Sequence, residues 1–363
     1  MEREAAPGVQ RMLPVSCRPM PGSLHETASI NGTSASEKGA ISMANTLFTT
    51  YCNRNCSYCF AKEKVDLGRN QGDPSKNLST EGLEKIIDFF KRSQLTRFVV
   101  LGGEPTLHPR FGPMIDRILD EPSFDSVMIF TNALMPESAR AYLANQRDKR
   151  IHVAVNLNAE KEYTPTQWAQ VNETLHALGS KVGLGINVYA PGQDYEFLID
   201  AILRHGLTKH VRVGLTHPVS GSGNIHAQTE DFPAIAEDLV RFAALGATHG
   251  ISFSFDCGFT FCMFTLDQHK ELLRHAVRFK SVCSPIIDIG PDLTIWRCFP
   301  MVNRANARLE DFQAKNEMIR FYNQKFGKYL PMGNRPECPQ CQYRVHGLCS
   351  GGCLARTLDS FGK

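Results

Sequence analysis

Residues 97–131 read RFVVLGGEPTLHPRFGPMIDRILDEPSFDSVMIFT. An apolar β-type run, Arg97–Leu101, leads into a Gly-Gly-Glu-Pro loop. A stretch with apolar residues at helical spacing follows, Phe111–Leu119, and then a second β-type run, Ser126–Phe130. Neighbouring strands joined through a helix are parallel, because a parallel pair needs a long crossover. The same rhythm extends outward in both directions. Strand-like runs lie at Asn45–Thr49, His152–Leu157, Gly183–Val188 and Val211–Leu215. Helical stretches lie at Glu81–Phe90, Pro136–Asn145, Pro165–Leu178, Tyr195–His205 and Asp231–Leu245. Six such units over residues 44–250 predict an α/β fold, a partial (β/α)6 TIM-like barrel, since six are too few to close an eight-stranded one. A doubly wound sheet is the alternative on rhythm alone.

The rest of the chain reads differently. Residues 1–43 are rich in Pro, Gly, Ser and Thr and are expected to form a disordered N-terminal tail without a secretory signal. After residue 250 the rhythm stops, and a Cys-rich, turn-rich segment, 251–363, shows helical character only at Leu266–Phe279 and Glu310–Lys325. Hydrophobic residues at 42% and charged residues at 21% suit a globular enzyme. Forty Lys and Arg against 37 Asp and Glu leave a net charge of +3, which argues against nucleic-acid or membrane-surface partners. No apolar run approaches the ~18 residues a membrane span needs.

Twelve cysteines stand out. Without an export signal, disulfides are disfavoured and a cytoplasmic protein using metal or redox chemistry is expected. Cys17 lies in the tail; Cys52, Cys56 and Cys59 form a triplet; Cys257, Cys262, Cys283, Cys298, Cys338, Cys341, Cys349 and Cys353 crowd the C-terminal part. The triplet, C-x3-C-x2-C, leaves the C-terminal end of the first strand, where barrel folds place their chemistry. Three thiolates suit a [4Fe–4S] cube with one iron left open; structural zinc or buried thiols are the plainer alternatives.

With Tyr58 before the third cysteine, the triplet resembles the signature of radical S-adenosylmethionine (SAM) enzymes. The Gly102-Gly103-Glu104-Pro105 loop after strand two resembles the family's Gly-Gly-Glu motif, in which backbone and carboxylate meet the SAM amino group. By the same resemblance Thr131 and Asn132 (strand three), Asn156 and Asn158 (strand four) and Asn187 (strand five) are candidate SAM contacts; each equally suits a cap or turn. The last four cysteines, preceded by Cys283-x14-Cys298, resemble the SPASM extension of radical SAM peptide maturases. That resemblance implies a first auxiliary cluster on Cys262 (or Cys257), Cys283, Cys298 and Cys353, and a second on Cys338, Cys341 and Cys349. The pattern departs from the family in a seven-residue middle spacing, in Leu293 where a glycine is usual, and in having no cysteine after Cys353. The second cluster is therefore expected to have an open iron or a non-Cys ligand, unless the chain is cut short. A zinc ribbon is the alternative for the last four cysteines. His217 and His346 are ligand-capable but more often structural.

The resemblance implies two or three [4Fe–4S] clusters and SAM as cofactors, and a flavodoxin or ferredoxin as electron donor. It implies reductive SAM cleavage to a 5′-deoxyadenosyl radical that abstracts hydrogen from a ribosomal peptide or protein substrate, oxidising or cross-linking a side chain. No catalytic acid or base is legible. Alternatives are a small-molecule radical dehydrogenase, a sulfatase-maturase-like enzyme (disfavoured by Phe299 after Cys298, where those enzymes carry an acid) and a zinc- or cluster-binding scaffold.

Overall fold

A computed structural model describes residues 44–65, 73–219, 223–283 and 286–361; the N-terminal tail and Cys17 lie outside them. Seven strands run parallel: β1 (Ala44–Leu47), β2 (Arg97–Leu101), β3 (Ser126–Thr131), β4 (Ile151–Asn156), β5 (Val182–Val188), β6 (His210–Leu215) and β7 (Ser252–Phe255). Helices α1 (Thr80–Arg92), α2 (Phe111–Leu119), α3 (Glu137–Asn145), α4 (Pro165–Leu178), α5 (Glu196–His205) and α6 (Phe232–Thr248) make the crossovers from β1 to β7. The expected strands and helices of the barrel are all present, most within two residues of their predicted ends.

Their local causes are visible. Ser79 caps α1 by accepting a hydrogen bond from the Gly82 amide, and Thr164 and Gln167 form a reciprocal capping box ahead of Pro165 at α4. The apolar stripe of α1, with Leu83, Ile86, Ile87 and Phe90, is fully buried against the sheet. Largely buried strands such as β5 read as mostly apolar runs because helices or side chains cover both faces.

The sheet does not stop at residue 250. Beside β7 lies β8 (Arg278–Phe279), while on the far edge β9 (Ile287–Ile289) pairs in parallel with β1. Antiparallel β10 (Thr294–Trp296) and β11 (Ala307–Arg308) follow, giving one open eleven-stranded sheet. Helices α7 (Leu266–Arg274), α8 (Lys315–Phe326), α9 (Gln342–Val345) and α10 (Leu354–Phe361) complete the C-terminal part. Among the described residues no helix is long and apolar enough to cross a membrane.

Candidate functional site

The segment after β1 is pinned to the loop after β2. The Gly103 amide donates to Thr49 O at 2.9 Å and the Glu104 amide to Tyr51 O at 2.6 Å. A Cβ on Gly102 would sit 2.8 Å from Thr49 O, and one on Gly103 2.2 Å from Tyr51 O. Only glycine permits this approach, which brings the cysteine loop and the Gly-Gly-Glu loop together.

Both loops open into one pocket of about 820 Å³ at the C-terminal ends of the strands. Cys52, Cys56 and Cys59 line it, as do Tyr58, Gly102, Gly103, Glu104, Thr131, Asn132, Asn156, Asn158 and Asn187. Of the residues singled out in sequence for this cofactor, Pro105 alone is set back; it starts a buried turn, Pro105–Leu107. Burial pushes the Cys52 thiol up to about 12 and the Cys59 thiol to about 11. At neutral pH such thiols stay protonated unless a cation takes the proton's place, which is what a metal does. Every cysteine among the described residues is free of disulfides.

Glu104 is fully buried, and burial holds its carboxyl above the ordinary range despite opposing hydrogen bonds. Its Oε1 accepts from the Thr106 amide and hydroxyl and from Thr131 Oγ1, and its Oε2 from the Asn132 amide alone at 2.8 Å. A carboxylate oxygen has two acceptor sites, so Oε2 keeps one for an ammonium group. The same bonds lock the β2 and β3 loops together. Asn132 Nδ2 reaches Asn53 Oδ1 at 2.9 Å and stands 3.9 Å from the Cys52 sulfur.

The asparagines on β4 and β5 owe their positions to glycines that no sequence motif marks. Asn156 Oδ1 lies 2.9 Å from where a Cβ of Gly185 would be, and Asn187 Oδ1 2.8 Å from that of Gly214, each on the next strand. Tyr58 donates to Asn158 Oδ1 at 2.5 Å and stacks on Tyr189 at 5.1 Å. Asn158 in turn donates to Glu162 Oε2 at 3.0 Å. Arg54, also unanticipated, lies over the Tyr163 ring at 4.0 Å and against the Cys56 thiol. No sequence signal marks Tyr163 or Glu162; the fold alone brings them here.

Phe299 joins the same pocket from the C-terminal part, its ring 5.4 Å from that of Phe60. The eight C-terminal cysteines divide into two groups. Cys257 and Cys298 each lie within electrostatic reach of Cys283 and Cys353; Cys353 is buried and the other three are half-buried. Cys262, Cys338, Cys341 and Cys349 line a separate cleft of about 410 Å³. The resemblance left either Cys262 or Cys257 to join Cys283, Cys298 and Cys353; in the fold Cys257 lies near Cys283 and Cys353, and the turn at Gly258 (φ 101°) separates it from Cys262. His217 is buried against Gly258, and His346 is exposed outside the cleft.

Residues 46–204 match the family model described as the Radical SAM superfamily. Residues 46–204 form a radical SAM domain. That superfamily uses a [4Fe–4S] cluster and SAM, and the donor set of the pocket, three thiols beside a carboxylate and amide groups, fits both. The fold is also shared with solved structures. Streptococcus suis SuiB bound to S-adenosylmethionine superposes with a TM-score of 0.59 at 15% identity, covering 86% of this chain and 74% of that one. Native anSMEcpe with bound AdoMet gives 0.57 at 14%, covering 88% and 95%. Among curated proteins, a probable GTP 3′,8-cyclase of Archaeoglobus fulgidus is 25% identical over 139 residues, 38% of this chain and 44% of that protein. The GTP 3′,8-cyclase of Hydrogenovibrio crunogenus is 24% identical over 195 residues, 51% and 57%. The chain thus spans about half the length of the curated relatives it matches.

Proposed function

We propose that this radical SAM enzyme is an oxidoreductase that modifies a ribosomal peptide or protein side chain, in the cytoplasm, with a flavodoxin or ferredoxin as electron source. The observation that carries the radical chemistry is the single pocket shared by Cys52, Cys56, Cys59, Glu104 and the strand-end asparagines. The cluster, when bound and reduced, supplies the electron that splits SAM into methionine and a 5′-deoxyadenosyl radical able to take hydrogen from an unactivated C–H bond.

The chain's own residues bind and aim. Glu104 Oε2 offers its spare acceptor site to the SAM ammonium, and Asn156 and Asn187 offer amides along the strand ends. Leu101, Phe130 and Phe299 give the pocket apolar walls that keep water from the radical. Arg54 sets a cation beside the thiolate-bearing loop. The peptide reading is supported by the likeness of the C-terminal cysteines to the SPASM pattern and by their division into two groups.

A second reading, a purine nucleotide as substrate, is favoured by the names of the curated relatives. Anaerobically reconstituted protein with dithionite and SAM separates the two. Production of 5′-deoxyadenosine stimulated by a candidate peptide, with deuterium transferred from that peptide, supports the first; stimulation by GTP supports the second. No 5′-deoxyadenosine under either condition refutes the radical chemistry.

A further inference from the structure

We infer that Cys262 is the fourth thiolate of a [4Fe–4S] site formed with Cys338, Cys341 and Cys349, an inference that rests on the auxiliary-cluster part of the reading above. All four side chains line one cleft. Cys262 lies in the turn Phe261–Met263 just after β7, and Cys338, Cys341 and Cys349 lie some eighty residues further on. Two contacts hold the segments together. The Phe261 ring stacks on Tyr343 at 4.9 Å, and the Phe261 backbone N–H reaches the Cys349 sulfur.

Burial pushes the Cys338 and Cys349 thiols above their ordinary range, and backbone N–H groups aimed at both sulfurs oppose it. The Gly351 amide donates to Cys349 Sγ at 3.3 Å, and backbone N–H groups of Asn334 and Arg335 aim at Cys338. Such N–H···S bonds stabilise thiolates and are the means by which a protein tunes a cluster. Gly333 and Gly351 face each other across the back wall, with φ of 68° and 79°. A Cβ on Gly333 would stand 2.7 Å from Cys338 Sγ, and one on Gly351 would stand 2.8 Å from Gly333 Cα. Neither residue tolerates a side chain, so the sulfurs keep the space. Cys262 forms the exposed rim, 3.4 Å from Thr260 Oγ1, and is the only exposed cysteine among the described residues.

Cys257, five residues earlier, is the rival among the described residues. It lies within electrostatic reach of Cys283 and Cys353, on the other side of the Gly258 turn, and does not line the cleft. Each group therefore has four cysteines, and neither needs an outside ligand.

The test reads thiol protection in wild-type holoprotein, with no variant required. In anaerobically reconstituted protein treated with iodoacetamide and mapped by mass spectrometry, Cys262 is alkylated at least about tenfold more slowly than in apoprotein, because a metal-held thiolate cannot react. Destroying the clusters with ferricyanide exposes Cys262 together with Cys338, Cys341 and Cys349. In Cys341→Ala, about four irons are lost and Cys262 becomes reactive while Cys257 stays protected; in Cys283→Ala the pattern is reversed. Equal reactivity of Cys262 in holo- and apoprotein overturns the inference, as does its continued protection in Cys341→Ala. Zinc in place of those irons overturns the cluster assignment. Failure of the underlying reading looks different: about four irons in total, with Cys257, Cys283, Cys298 and Cys353 reacting as readily as Cys262.

Discussion

Replacing Gly103 by alanine tests whether the two loops of the SAM pocket must touch. The added methyl would stand 2.2 Å from Tyr51 O, 2.5 Å from Tyr51 C and 2.8 Å from Thr50 O, all backbone atoms that no rotamer change can clear. To reach even a tight contact the loops must part by roughly 0.8 Å. That movement strains the Gly103–Thr49 and Glu104–Tyr51 hydrogen bonds, worth about 1 kcal/mol each. Overpacking adds roughly 1–3 kcal/mol, so Gly103→Ala destabilises the protein by about 3–5 kcal/mol in all. Because the parted loops carry Cys52 and Glu104, a displacement near 1 Å also lowers SAM cleavage by ~100-fold. Gly183→Ala is the matched control: a methyl there meets nothing within 4 Å. The assay pairs thermal unfolding with 5′-deoxyadenosine formation under dithionite, run on both variants. If Gly103→Ala behaves like Gly183→Ala in both, the close approach of the loops is not what builds the site.

Three further outcomes follow from the same geometry. Cys56→Ala abolishes 5′-deoxyadenosine formation and removes about four irons from the reconstituted protein; unchanged cleavage would contradict the role of the triplet. Gly214→Ala pushes the Asn187 amide aside, since the methyl would stand 2.8 Å from its Oδ1. SAM binding measured by equilibrium dialysis then weakens about fivefold, the worth of one hydrogen bond, while the melting temperature holds. Asp288 on β9 is buried, and burial pushes its carboxyl up to about 7 although Asn45 Nδ2 donates to it at 2.5 Å. The native state thus holds a proton that the unfolded chain releases above about 3.8. The stability from that proton is full below about pH 3.8 and lost by the time pH passes about 7, a difference on the order of 4 kcal/mol. Asp288→Asn should raise the melting temperature of apoprotein at pH 8 but not at pH 4, and a uniform shift at both would refute the assignment.

The barrel was legible because buried parallel strands and their helices leave strong local marks: apolar runs such as Val182–Val188, caps such as Ser79, and Pro165 at a helix start. β7 was not, since Ser-Phe-Ser-Phe is short and half polar. The two- and three-residue strands β8 to β11 carry no periodicity of their own; pairing makes them strands, and β9 finds β1 more than two hundred residues away. In the pocket, cysteines, glycines and asparagines declared themselves by motif. Arg54, Tyr163, Gly185 and Gly214 did not, because their value lies in what stands opposite them in space. The same limit applies to Cys257 and Cys262. Spacing along the chain cannot tell two cysteines five residues apart from one another when a single left-handed glycine between them sends each to a different group.

The pairing of β9 with β1 also dictates an order of events during synthesis. β1, which leads into the cysteine triplet, is synthesised long before its second neighbour, encoded at residues 287–289. At about 5–20 residues per second, the open edge of β1 waits roughly 12–50 s for that neighbour. An unpaired edge invites association with other chains, so a nascent chain stalled before residue 287 should be the species that most needs a chaperone. Phe60, beside the cysteine triplet, likewise waits for its ring partner Phe299 until the C-terminal part has been made.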